Sequence, residues 1–263
     1  RTRALTMLLE VDRLSKRFGE TLAVSDVSFS LEPGQIMALI GASGSGKTTT
    51  LRMINRLTEP DAGAVSLKGA SAKDVPAHVW RRRIGYVVQG AGLFPHFDIR
   101  QNVAITPQLL QRPNDETRDR VDGLLDMVGL PALEYAGRKP HELSGGQQQR
   151  VNLARALAGE PELVLMDEPF GALDPMTKND LISDLLKLRE RLSFAAVIVT
   201  HDLSEAIRFA DRIGVMEGGT LLQIGPVGEL IADPQSQAVS DMLTAARVHS
   251  AEVEAAFHSV EAK

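Results

Sequence analysis

The chain has 263 residues, 43% of them apolar and 24% charged, with a net charge of −5 and no cysteine. This composition suits a globular protein of one large or two small domains. It excludes disulfides and thiol catalysis, and the acidic balance argues against a general nucleic-acid surface. Residues 1–10 hold a brief apolar patch without the apolar stretch and cleavage site of a signal peptide. Runs such as Phe194–Val199 are far too short to span a bilayer, so a membrane role is expected to come through a partner.

Leu8–Val11 and Ala23–Leu31 read as short strands, with Val27, Phe29 and Leu31 on one face and Phe18-Gly19-Glu20 in the turn between them. Pro33-Gly34 precedes an apolar run, Ile36–Ile40. Gly41-Ala42-Ser43-Gly44-Ser45-Gly46-Lys47-Thr48-Thr49 follows, then a helix from Thr48 to about Leu57. Strand, glycine-rich loop, Lys-Thr and helix in that order make a P-loop. Its glycines let successive N–H groups face one anion, and the helix start adds unpaired amides and the positive end of its dipole. Lys47 would reach the β- and γ-phosphates of a nucleoside triphosphate, and the Thr48 hydroxyl would ligand Mg²⁺. Glu59–Gly63 ends the helix and Ala64–Lys68 resumes strand character.

Arg81-Arg82-Arg83 reads as solvated surface. Ile84–Val88 reads as a buried strand ending at Gln89, where α/β sheets place their ligands. From about Gly90 to Ala158 the pattern turns to helix and loop. Val121, Leu124, Leu125 and Val128 share a helix face that Gly129 and Pro131 stop. Leu143-Ser144-Gly145-Gly146-Gln147 opens a helix to about Ala158, with Ser144 as N-cap. Two glycines at a helix start make a second phosphate cradle, this one without a lysine, or a purely structural cap.

Leu163–Met166 is an apolar run ending in Asp167-Glu168-Pro169. Carboxylates at the tip of a buried strand are costly without a cation or proton partner. Asp167 suits the Mg²⁺ surroundings, and Glu168 suits a general base for an attacking water. Leu181, Leu185, Leu188 and Leu192 line one helix face. Ala195–Val199 is a further buried strand, and His201 occupies the same kind of strand-end position as Glu168. A short helix bearing Leu203, Ala206, Ile207 and Ala210 follows, then a hairpin around Glu217-Gly218-Gly219 and a helix from Glu229. In the tail, Val239, Met242, Leu243 and Ala246 share a face, as do Val253, Ala256, Phe257 and Val260; packing on this chain or on a copy of it is the simpler reading, regulation the other. His249 and His258 read as surface residues, not metal ligands.

The P-loop, Gln89, Leu143–Gln147, Asp167-Glu168 and His201 stand in the order found in ABC transporter ATPases, and over about residues 8–235 the chain resembles that family. The resemblance implies an α/β P-loop NTPase fold: a RecA-like core sheet with flanking helices over about 1–88 and 160–235, an antiparallel β-subdomain at the N-terminus, and an inserted α-helical subdomain over about 90–158. Residues 236–263 form a helical tail in this scheme. ATP and Mg²⁺ are the implied cofactors. Gly41 to Thr49 would wrap the triphosphate, Gln89 would contact Mg²⁺ and water and sense the membrane subunit, and Asp167 would hold the metal through water. Glu168 would polarise the nucleophile and His201 would grip the γ-phosphate. Ser144, Gly145, Gly146 and Gln147 would cover the γ-phosphate held by the opposite protomer, with Asp174 linking the two sites. Phe18 would stack on adenine where the family often has tyrosine, with Val24 as a further nucleotide contact.

Gly92–His96 and Met166–Pro175 are similar to the importer branch, in particular to ATPases of osmoprotectant uptake (glycine betaine, choline, carnitine and other quaternary amines). Many of those carry a C-terminal pair of regulatory CBS domains; the sequence stops at Lys263, which weakens an osmosensing role and leaves uptake of an amino acid or another polar amine open. The implied partners are a second ATPase subunit, two transmembrane permease subunits and an extracytoplasmic substrate-binding protein, with no nucleic acid, at the cytoplasmic face of a bacterial inner membrane. A soluble ABC ATPase of DNA repair or translation is the rival reading; one P-loop, one signature and a negative charge weigh against it. A plain P-loop kinase would leave Ser144–Gln147 without a role.

Overall fold

The computed structural model describes residues 7–90, 92–171 and 173–248. The tail face from Val253 to Val260, His249 and His258 lie outside the described residues, as do residues 1–6.

In chain order the elements are β1 (Leu9–Phe18), β2 (Thr21–Leu31), β3 (Ile36–Ile40), α1 (Lys47–Ile54), β4 (Ala62–Leu67), β5 (Ala70–Ser71), α2 (Ala77–Arg81) and β6 (Ile84–Val87). Then come α3 (Ile99–Leu109), α4 (Asn114–Met127), α5 (Ala132–Tyr135) and α6 (Gly145–Ala158). The remainder is β7 (Leu163–Asp167), α7 (Pro175–Leu192), β8 (Ala195–Val199), α8 (Leu203–Phe209), β9 (Arg212–Glu217), β10 (Thr220–Gly225), α9 (Val227–Ala232) and α10 (237–248).

Two sheets result. One is antiparallel, in the order β2-β1-β4-β5; the other runs β10-β9-β3-β8-β7-β6. In the second sheet β3, β6, β7, β8 and β9 are parallel and only β10 turns back. Every residue of β3, β7 and β8 is buried, which is why these strands read as continuous apolar runs rather than alternating ones. Alternation survives in where the side chains go. Ile36, Ala38 and Ile40 join a core with α3, α4, α6, α7 and α8, whereas Met37 and Leu39 face α1 and the antiparallel sheet.

Register decides where the chemistry lies. Leu39 pairs with Val199, Asp167 with Val199, and Val87 with Met166. The ends of β3, β6, β7 and β8 are therefore level, and the residues that follow them share one rim.

Several expectations need correction. Phe18 closes β1 rather than lying in the turn, paired with Thr21 across Gly19-Glu20. The basic triplet is not simply solvated. Arg83 is half-buried and donates to both Glu162 carboxylate oxygens at 2.8 and 3.1 Å, fastening the start of β6 to the start of β7. Ile207 is 44% exposed; Phe209, at 2%, fills the core instead, its ring 5.7 Å from that of Phe170. In the tail, Val239 is fully buried, and Met242, Leu243 and Ala246 pack beside it on this chain's own core.

Candidate functional site

The loop after β3 is braced from three sides. A Cβ on Gly41 would stand 2.1 Å from the Met216 carbonyl oxygen of β9, so only glycine permits that approach. Gly46, the N-cap of α1, has φ 99° and lies against β2, where an added Cβ would meet the Ala23 oxygen at 2.6 Å and Val24 at 3.3 Å. From the β9–β10 turn, the Gly219 amide donates to the Ser45 oxygen at 3.2 Å, and the Gly219 oxygen accepts from the Ser25 amide at 2.8 Å. Ala42, Ser43 and Gly44 are exposed, while Thr48 and Thr49 are half-buried.

Lys47 folds back into this loop. Its Nζ donates to the oxygens of Gly41 at 2.7 Å and Ala42 at 2.8 Å and to Ser45 Oγ at 3.2 Å. Burial lowers the ammonium's pKa, and the charges of Glu168 and Asp167 oppose that shift. The result is a cation aimed at the loop's centre with its protons already turned inward.

The level strand ends supply the rest. Thr48 Oγ donates to Asp167 Oδ1 at 2.8 Å, joining the first turn of α1 to the tip of β7. Burial pushes the Asp167 carboxyl up from its ordinary value; the Thr48 bond and Arg52 pull it back, and the charge of Glu168 adds to the rise. Tyr86, inside β6, has its phenol pushed up to about 12, first by burial and then by the Asp167 charge. It therefore stands as a neutral neighbour of that carboxylate.

Glu168 takes the left-handed conformation at φ 46°, which costs about 1–2 kcal/mol for a non-glycine residue. Its amide donates to the Val199 oxygen at 3.0 Å, so the extra strand bond holds the strained residue in place. The carboxylate turns out to the rim between two partners: Gln89 Nε2 donates to Oε2 at 3.2 Å, and His201 Nδ1 lies 3.7 Å from Oε1. Strain of this kind persists only where the surroundings enforce it, and it gathers at functional sites. Lys47, Thr48, Gln89, Asp167, Glu168 and His201 thus form one cluster.

Ser144–Gln147 make their hydrogen bonds elsewhere. Ser144 caps α6 reciprocally with Gln147, accepting from the Gln147 amide at 3.3 Å while its own amide donates to Gln147 Oε1 at 2.9 Å. Gln147 Nε2 also donates to the Tyr135 hydroxyl at 3.3 Å. Ser144 and Gly145 are exposed; Gly146 is buried, and a Cβ on it would press within 2.3 Å of the Thr177 methyl of α7. Asp174 caps α7, accepting from the amides of Met176 and Thr177, both at 3.1 Å. Hydrogen bonds from Thr177 hold its carboxyl below the usual range. Phe18 is 52% exposed with Lys16 Nζ 5.5 Å from its ring centre. Val24 has no exposed surface and supports the loop at Gly46.

Sequence reasoning passed over Gly219, Tyr86 and a group of Thr200, Glu205 and Lys178, of which Thr200 and Glu205 are buried. Glu205 stands three residues after the N-cap Asp202, a spacing that suggests an ordinary capping glutamate on the surface. Instead it is 5% exposed and turns inward.

The family model described as ABC transporter matches residues 24–171. The chain belongs to the ABC transporter family. The choline transport ATP-binding protein OpuBA of Bacillus subtilis (strain 168) is 44% identical over 237 residues, covering 90% of this chain and 62% of the relative. The glycine betaine uptake system ATP-binding protein YehX of Escherichia coli (strain K12) is 43% identical over 232 residues, covering 88% and 75%. The chain thus spans about three-fifths of the length of the first relative it matches. Among solved structures, the ABC transporter chain is similar to cbiO1 of Clostridium perfringens, part of the complex cbiONQ, with a TM-score of 0.79 and 27% identity over 88% of this chain and 92% of that one. It also resembles the ATP-binding cassette MJ0796 in a dimeric, post-hydrolysis state bound to ADP and Pi, with a TM-score of 0.75 and 33% identity over 83% and 98%. The family match ends at Gly171, so Asp174, α7 and His201 lie beyond it.

Proposed function

We propose that this chain is the ATP-binding and ATP-hydrolysing subunit of an ABC importer. One observation carries the reading: Glu168, strained at φ 46°, sits between Gln89 and His201 at the same rim as Lys47 and the Thr48–Asp167 pair. Gly41 to Thr49 bind the triphosphate, with Lys47 at its β- and γ-phosphates. Glu168 takes the proton of the attacking water, and His201 and Gln89 orient the γ-phosphate and that water. Thr48 and Asp167, an alcohol beside a carboxylate, are hard oxygen donors that suit Mg²⁺ completed by Gln89 and phosphate oxygens. When bound, the metal neutralises charge on the β- and γ-phosphate oxygens. Phe18 stacks on the base.

The reading extends to partners. Ser144, Gly145 and Asp174 are exposed, the side chains of Ser144 and Asp174 spend their bonds on local helix caps, and Met176 beside Asp174 is 78% exposed. These features support a second copy whose Ser144–Gln147 close over the γ-phosphate. A cavity of about 540 Å³ next to Gln89, with Val88, Gly92, Phe94 and Leu109 in its wall, supports contact with a permease subunit. Among the described residues no helix is long and apolar enough to cross a membrane, so attachment at the cytoplasmic face of a bacterial membrane runs through two such subunits, with an extracytoplasmic binding protein delivering cargo. The names of the relatives favour choline, glycine betaine or carnitine as cargo; an amino acid or another polar amine is the second choice.

Glu168→Gln tests the core of this. Loss of a general base lowers turnover by about 10²- to 10⁴-fold. ATP affinity should stay, and an ATP-bound two-copy species should accumulate in size-exclusion chromatography. Turnover equal to the parent's would sink the base assignment. In cells carrying that exchange, the labelled solute whose uptake is lost identifies the cargo.

A further inference from the structure

A polar chain between the end of β8 and the first turn of α7 has no role in the scheme above. Glu205 Oε2 accepts from Thr200 Oγ at 2.7 Å, and Glu205 Oε1 pairs with Lys178 Nζ at 2.5 Å. Thr200 is 2% exposed and Glu205 5% exposed. Thr200 Oγ in turn accepts from the Asp202 amide at 3.1 Å, and the Thr200 amide donates to the Leu39 oxygen of β3 at 3.1 Å. On the other side, the Lys178 amide donates to the Asp174 oxygen at 2.9 Å.

Capping does not explain Glu205. Asp202 already caps α8, accepting from the amides of Ser204 at 2.8 Å and Glu205 at 3.3 Å. Stability does not explain it either, because a buried carboxylate with an ammonium partner is commonly no better than apolar residues of the same shape. What the pair does supply is geometry. His201 has an exposed ring, and its Nδ1 lies 3.7 Å from Glu168 Oε1, too far for a hydrogen bond to fix it. Its place is therefore set by its flanks, and both flanks end on Glu205: Thr200 directly, Asp202 through Thr200 Oγ. The same carboxylate holds Lys178, four residues from Asp174.

We infer that Glu205 is a positioning residue, which through Thr200 and Lys178 locks His201 to the start of α7, so that the γ-phosphate histidine and Asp174 move as one body. This rests on the ATPase reading of the site. Displacing a reacting group by about 1 Å can cost about 10²-fold in rate, so the effect should appear in turnover and not in binding.

The test is single-turnover ATP hydrolysis by the full chain, with fluorescent-nucleotide binding and urea denaturation measured alongside. Exchanging both partners together, Lys178→Met with Glu205→Leu, leaves no unpaired charge. The expected result is a denaturation midpoint near the parent's, ATP affinity within about 2-fold, and a rate at least about 10-fold lower. In a His201→Ala background the same exchange should change the rate by less than about 2-fold, because the group being positioned is gone. Thr200→Val, which keeps the shape but removes the hydroxyl that donates to Glu205, gives the same comparison if the double exchange does not fold. A parental rate, or an equal rate loss with and without His201, would overturn the inference while leaving the ATPase reading intact. A His201→Ala protein that hydrolyses ATP at the parental rate would overturn the histidine's role and the inference with it.

Discussion

Replacing Gly46 with Ala separates backbone strain from steric overlap. At φ 99° an L-residue costs about 1–2 kcal/mol. The new Cβ would also lie 2.6 Å from the Ala23 oxygen, which is β2 backbone and has no rotamer to relieve it. Accommodating such overpacking costs about 1–3 kcal/mol more, so the expected loss is about 2–5 kcal/mol. Gly44→Ala is the control. Gly44 has φ 80°, yet nothing lies within 4 Å of where its Cβ would stand, so only the backbone part, about 1–2 kcal/mol, should be lost. Urea denaturation of the nucleotide-free proteins measures both, with an unchanged slope if only the folded state is affected. Equal losses in the two variants would refute the steric part, and a loss well under about 1 kcal/mol in both would refute the strain.

Two further changes probe the ends of the proposed nucleotide site. Asp167→Asn keeps an acceptor for Thr48 Oγ but removes a charge that burial disfavours. A carboxyl raised in the folded state stabilises below its unfolded pKa, and that contribution is lost as pH rises through the folded value. The variant should therefore resist urea better than the parent at neutral pH, the gap closing in acid, and Mg²⁺ should no longer tighten its binding of ATP; a less stable variant at neutral pH would contradict the sign. Phe18→Ala should weaken ATP binding by about 1–3 kcal/mol, the usual worth of a base on an aromatic platform. Because Phe18 is 52% exposed, the melting point should hardly move, and an unchanged nucleotide titration would remove Phe18 from the site.

How much of this was legible in sequence depends on what each residue answers to. β3, β7 and β8 are buried on both faces, so their apolar runs stand out and their ends are easy to mark. Register then brings Gln89, Glu168 and His201 together, because parallel strands that start level end level. β1 was read only in part because its period breaks. Leu9 and Val11 are two apart, Leu14 three further on, and the irregular step holds Arg13 at φ 47°. α2 has five residues, too few for helical periodicity, although it carries Trp80, fully buried with its indole N–H on the Ile54 oxygen at 2.8 Å.

Polar residues divide on the same principle. Lys47, Asp167 and Glu168 are legible because each sits where a buried strand or a glycine loop makes a charge costly without a ligand to meet it. Arg83 and Glu205 are equally far from ordinary surface charges, yet their partners, Glu162 and Lys178, are 79 and 27 positions away in sequence, and no local pattern announces such pairs. Ser144 and Asp174 lie between these cases. Their capping bonds are local and were foreseeable for Ser144, but capping alone leaves both residues exposed. A capped helix start facing solvent, beside an exposed Met176, is what a surface awaiting a second copy would present, and that supports reading the Lys47 cluster as one half of a shared site.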